Sequence, residues 1–176
     1  NGLEIRGSSF RNVFDEATKE YADLLDVTEG DILKETWSGG PIEILFVDIA
    51  KIWAVNDHVV KTFFPHLIPG KSLVLQQDEH HQWELWCAIT MELLCEHFEY
   101  IGGVRENTAV YRCIKKIEPE HITDDLRSLG LDKLSDLLRS AIAKREEHFE
   151  KGMLTTALSA LYLDFGQVEI ETVTLL

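Results

Sequence analysis

From Ile42 to His81 the chain alternates apolar runs with acidic tips. Ile42 to Val47 is a near-continuous apolar run, interrupted only by Glu43 and ended by Asp48. Such a run suits a strand buried on both faces, as in a parallel sheet. Ala54 to Phe64 reads as the following helix, Pro69-Gly70 as a turn, and Ser72 to Gln76 as a second strand. That strand runs on into an acidic, histidine-rich tip, Asp78, Glu79, His80 and His81.

The flanks are patterned more weakly. Residues 1–9 carry the breakers Gly2, Gly7, Ser8 and Ser9 and read as loop or frayed strand. Phe10, Val13, Phe14, Ala17, Tyr21, Leu24 and Leu25 recur at helical spacing, with Ser9 as N-cap, and predict an amphipathic helix over 10–25. Residues 26–32 (DVTEGDI) predict a short strand and turn, and 33–37 a short helix stopped by Ser38-Gly39-Gly40-Pro41. Trp83 to His97 predicts a helix. Phe98 to Val104 and Ala109 to Ile114 predict an antiparallel hairpin around the turn that holds Arg105 and Glu106. After the linker Glu118-Pro119-Glu120, helices are predicted over 131–151 and 153–165. The alternation predicts an α/β fold, mainly parallel, with right-handed crossovers and an antiparallel edge hairpin. The domain reading is an α/β domain over 1–117 and a helical extension over 118–176.

The 176 residues favour a substantial core. The 17 basic against 31 acidic residues give a net charge of −14, which argues against nucleic acid or an anionic membrane as partner. Three cysteines, Cys87, Cys95 and Cys113, form no CxxC pair, so neither a disulfide framework nor a zinc site is suggested. Cys87 and Cys95 read as core residues. This usage fits a reducing, cytoplasmic setting. No apolar run approaches a bilayer span, and no signal peptide is visible. The chain opens without Met, as NGLEIRGSSF, and reads as the interior of a longer sequence.

Open α/β sheets bind ligands at the C-terminal ends of their strands. Asp48, Asp78 and Glu79 are expected there, and three converging carboxylates repel unless a cation or a raised pKa relieves them. Asp48 serves equally as a helix cap, Asp78 and Glu79 as a solvated loop tip, and Lys51 as a surface lysine. His80 and His81 are alternative bases or ligands for a softer metal, and adjacent positions on an extended segment point to opposite sides. Trp83 and Trp86 are candidates for an acceptor pocket or for the core. His58 and His66 read as structural.

Residues 26–113 resemble the C-terminal two-thirds of a class I S-adenosylmethionine-dependent methyltransferase of the macrocin or catechol O-methyltransferase type. The resemblance rests on Glu29-Gly30-Asp31, on ILFVDIAK, on FFPHLIPGKSLVLQQD and on FEYIGGVRENTAVYRC. It implies a Rossmann-like methyltransferase sheet and methyl transfer from S-adenosylmethionine to a hydroxyl of a small-molecule acceptor, a sugar or phenol. It implies cofactor contacts from Asp31, Ile32 and Asp48, and Mg²⁺ held by Asp48, Asp78 and Glu79. Lys51 is implied as general base, with His80 as the alternative; a lysine in that role needs its pKa lowered toward neutrality. Glu79 departs from the family's usual Asn or Asp. The chain contains no G-x-G-x-x-G loop and no identifiable acidic residue for the ribose, absences that are expected if the N-terminus is truncated. The alternative reading is a non-catalytic methyltransferase-like module that binds a partner. The C-terminal helices are candidates to cover the site or to form a homodimer contact.

Overall fold

The computed structural model describes residues 10–104 and 107–167. The predicted cap Ser9, the breakers before it, and Arg105 and Glu106 lie outside the described residues. The chain divides into two compact units, one ending at Glu35 and the other beginning at Thr36. The division therefore falls before the first strand rather than near Ile117.

In the first unit, α1 (Arg11–Thr18) tightens into a 3₁₀ helix over Lys19–Leu24. Its apolar stripe is present as predicted, yet no residue of α1 is buried. The strand predicted over 26–32 does not form. That stretch is irregular and ends in a 3₁₀ turn, Ile32–Lys34, because Asp31 caps it: its carboxylate accepts from the Leu33 amide at 3.2 Å. Short acidic side chains favour such local backbone bonds over a ladder.

The second unit is an α/β sandwich. Its elements are β1 (Ile44–Val47), α2 (Trp53–Phe63), β2 (Leu73–Gln76), α3 (Trp86–Leu93), β3 (Phe98–Val104), β4 (Thr108–Cys113), α4 (Leu131–Lys144) and α5 (His148–Asp164). The sheet order is β1-β2-β4-β3. Only β1 and β2 are parallel, with Leu45 beside Val74; β4 runs antiparallel to both β2 and β3. The sheet is thus mixed rather than mainly parallel. A short connection obliges β3 and β4 to run antiparallel, and β4 then occupies the position next to β2. Pro69-Gly70 makes the expected turn before β2. Gly70 takes φ +75°, a conformation costly for other residues, and its amide donates to the Cys113 carbonyl at 2.7 Å.

One face of the sheet carries the core. Val74, Ala109, Tyr111 and Phe98 pack with Val60 and Phe64 at the end of α2 and with Met91 and Leu94 at α3. Burial of such side chains contributes about 1.5–3 kcal/mol each. The opposite face of β1 is open: Ile44 is 67% and Phe46 56% exposed. The two-sided burial expected of that apolar run is not realised, since the core packs against only one face of the sheet. The C-terminal helices belong to this unit. Leu134, Leu138, Leu154 and Leu161 are fully buried, and α4 packs on both α3 and α5. The predicted single helix over 131–151 breaks at Arg145–Glu147, where Arg145 leaves the helix in an extended conformation.

Candidate functional site

The C-terminal ends of β1 and β2 lie side by side, and the chain leaving each carries charge. Asp48 follows β1 directly, and Lys51 reaches back to it, Nζ to Oδ1 at 3.2 Å. Lys51 also bonds Asp78, which follows β2, and lies 3.4 Å from Glu84 Oε2. One ammonium therefore bridges three carboxylates from two strand tips and the loop beyond. Residues 78–84 wrap around it through consecutive turns, His81 N to Asp78 O at 2.8 Å and Glu84 N to His81 O at 3.0 Å. Asp78 stands at φ +62°, the single non-glycine residue with positive φ among those described. That conformation costs roughly 1–2 kcal/mol. Backbone strain of this kind clusters at functional sites.

The electrostatics of Lys51 differ from those of a base. Burial opposes its charge, but the hydrogen bonds to Asp78 and Asp48 and the charges of Glu84 and Asp78 outweigh it, and its pKa stands above the ordinary lysine value. The lowered pKa expected of a lysine base is therefore not met; in this arrangement Lys51 is a fixed cation. Glu84 is also shifted upward, and for a carboxylate that favours proton acceptance. Burial and, less strongly, the Asp78 charge raise its pKa above the ordinary glutamate value, against the attraction of Lys51. Its side chain is 13% exposed. Glu84 was not singled out from sequence. The signal was its place two turns past Asp78, on the segment that returns to the strand tips.

Glu79 and His80 turn away from this cluster. Glu79 is fully buried and accepts from Tyr111 Oη at 2.6 Å and from Arg145 Nη2. Arg145 Nη2 also donates to Tyr111 Oη at 2.6 Å, its Nε lies 3.7 Å from Glu150, and its guanidinium stacks 3.9 Å from the Tyr100 ring centre. Tyr100 Oη donates to Glu150 at 2.8 Å. Burial, then the carboxylates, push both tyrosine pKa values up. His80 is 1% exposed, on the same side. Gly103 is compatible with this packing because it has no side chain: a Cβ there would collide with Glu150 and come within 3.3 Å of the His80 ring. His80 is thus buried beside this second network, its Nε2 without a hydrogen-bond partner among the described residues, and not a base beside Lys51, while His81 lies close enough to Glu84 to lower its pKa.

These placements decide the metal expectation. Asp48 and Asp78 share the Lys51 ammonium, and Glu79 is held by Arg145 and Tyr111 on the other side of the chain. No group of three or more histidine, cysteine or acidic side chains suited to a metal occurs among the described residues. The residues do not fit the expected Mg²⁺, and Lys51 occupies the position where a cation would relieve the carboxylates.

The remaining candidates separate. Asp31 and Ile32 lie in the first unit. The Asp31 carboxylate is engaged by the Leu33 amide and lies 3.4 Å from Lys34; Ile32 is half-buried. Trp86 is core, its Nε1 donating to the Ala50 carbonyl at 2.6 Å, whereas Trp83 is 58% exposed. Cys87 and Cys113 are buried but Cys95 is exposed. No helix among the described residues is long and apolar enough to cross a membrane. Compared with protein-family models, with curated proteins and with solved structures, the chain matches none.

Proposed function

We propose that the strand tips around Lys51 form the acceptor side of an S-adenosylmethionine-dependent O-methyltransferase acting on a small-molecule hydroxyl. The observation that carries this reading is the Lys51 cluster itself: a strained Asp78, an exposed Asp48 and a half-buried Glu84 of raised pKa, gathered at the C-terminal edge of a parallel strand pair. The resemblance of the surrounding segments supports it, as does a sheet closed by a hairpin whose second strand lies beside β2.

S-adenosylmethionine, when bound, supplies a methyl group on a sulfonium that departs as a neutral thioether. The fit of the described residues to it is confined to Asp48, whose carboxylate is 55% exposed at the end of β1; Asp31 is already engaged. The rest of the chemistry falls to the chain. Asp48 and Asp78 accept hydrogen bonds from neighbouring hydroxyls of the acceptor and orient it, which leaves the single proton of the reacting hydroxyl to face Glu84. Glu84 takes the proton as the oxygen forms its new bond to carbon, and a carboxyl of raised pKa is the better acceptor. Lys51 keeps the carboxylates together and limits their repulsion. Catalysis of this kind is mostly positioning, and no metal takes part.

The test is calorimetric titration with S-adenosylhomocysteine, in Mg²⁺ and in EDTA. Equal binding in both is the expected result. Absence of binding sinks the reading, and binding only with Mg²⁺ sinks the role given to Lys51. A methyltransferase-like module that binds a partner without catalysis is the second reading; the exposure of Ile44 and Phe46 favours it.

A further inference from the structure

A separate pocket of about 130 Å³ opens beside the Arg145 network, between α3, α4 and the strands β3 and β4. Met91, Phe98 and Ala141 form apolar walls, Arg145 its polar floor, and Cys95 and Lys144 part of its rim. Arg145 is 4% exposed at the side chain. Its Nη2 serves Glu79 and Tyr111 and its Nε faces Glu150. Nη1 makes no hydrogen bond among the described residues and, unlike Nε, is not sealed from solvent. A buried guanidinium whose Nη1 amino group is left for an acceptor, beside the apolar walls of a pocket, is a half-made binding site. Apolar cavities of about 150 Å³ in other proteins hold a benzene-sized ring.

The surrounding charge selects the ligand. Three carboxylates, Glu79, Glu92 and Glu150, face two cations, Arg145 and Lys144. A ligand carboxylate would meet this excess of negative charge, and a ligand ammonium would meet the Arg145 guanidinium in the pocket lining. We propose that the pocket binds a neutral monocyclic compound whose carbonyl or hydroxyl oxygen accepts from Arg145 Nη1, with its ring against Met91 and Phe98. This site lies apart from the Lys51 cluster and does not depend on the methyltransferase reading.

The chain has two methionines, Met91 in the pocket wall and Met153 on α5 outside it, so methyl-labelled methionine reports occupancy by NMR. Four probes share one ring: cyclohexanone, methylcyclohexane, cyclohexanecarboxylate and cyclohexylammonium. Cyclohexanone is expected to shift the Met91 methyl saturably and leave Met153 unmoved. The other three should bind at least about tenfold more weakly, the worth of one charge-assisted hydrogen bond. Ala141→Leu should abolish the shift. Cys95→Trp, at an exposed position on the rim, does the same without touching the core. The proposal is overturned if cyclohexanone produces no saturable shift, if methylcyclohexane or the carboxylate binds as well, or if both variants bind cyclohexanone like the parent.

Discussion

Lys51 and Asp78, 27 residues apart, are joined by an ion pair across the tips of two parallel strands. The pair links a residue without backbone strain to one with φ +62°. The link is electrostatic as well as geometric, since Asp78 is the leading partner that holds Lys51 in its charged form.

The two properties of Asp78 can be separated. Asp78→Gly relieves the backbone and removes the carboxylate; Asp78→Val removes the carboxylate and worsens the backbone. Urea unfolding should place the valine variant about 1–2 kcal/mol below the glycine variant, the left-handed penalty of a β-branched residue. Under the proposed function both lose methyl transfer to a similar extent, because both lose the contact to Lys51. Equal stability of the two variants would mean that the strain is absent in solution.

Arg145 and Glu79 form the second charged pair, 66 residues apart and both buried. Arg145→Met leaves Glu79 charged and without its cation in the core, at a cost of about 3–5 kcal/mol. Adding Glu79→Leu should recover much of that loss, because an apolar pair replaces a desolvated one. Chemical denaturation of the single and double variants measures the coupling. If the double variant is no more stable than the single, Glu79 is not carrying the penalty.

The buried tyrosines give a prediction at alkaline pH. Tyr100 and Tyr111 have raised pKa values in the folded state, from burial and then from Glu150 and Glu79 respectively. A folded state that holds a proton more tightly than the unfolded chain loses stability as pH rises past the unfolded value, near pH 10 for tyrosine. Unfolding should therefore steepen above about pH 10, and Tyr111→Phe should flatten that limb. Tyr162, lowered by its hydrogen bond to Arg139, should ionise before the other two. Absorbance titration of phenolate, with Tyr162→Phe and Tyr111→Phe as references, assigns the steps.

How far the sequence could be read depends on what each signal reports. The strands β1 to β4 were legible within a residue or two, since apolar runs between Gly, Pro and acidic breaks leave few options. The helix 54–64 appears at Trp53–Phe63 for the same reason. The direction of side chains at the strand tips was not legible. Asp78 takes a left-handed conformation without being glycine, and that one turn sends Glu79 and His80 to the opposite side from Asp48. A metal site drawn from Asp48, Asp78 and Glu79 assumed an extended tip. The fate of KREEHFEK (144–151) was hidden too. Its charge density suggests a solvated helix, but Arg145 is buried by partners 34 and 66 residues away, which no local pattern records. The strand expected at 26–32 failed because Asp31 and its neighbours satisfy their backbone locally.

The open edge of β1 has a consequence for how copies of the chain behave together. Among the described residues no strand pairs with the outer edge of β1, and with Ile44 and Phe46 exposed on its face it is a template for association. A net charge of −14 opposes it by repulsion between molecules. The two act over different distances: salt shortens the reach of the charge to about 10 Å at 0.1 M but leaves apolar contact intact. Ionic strength thus becomes a valve. In dilute buffer the molecules should hold one another off, and added salt should let the sheet edges meet, as light scattering across a salt series would register.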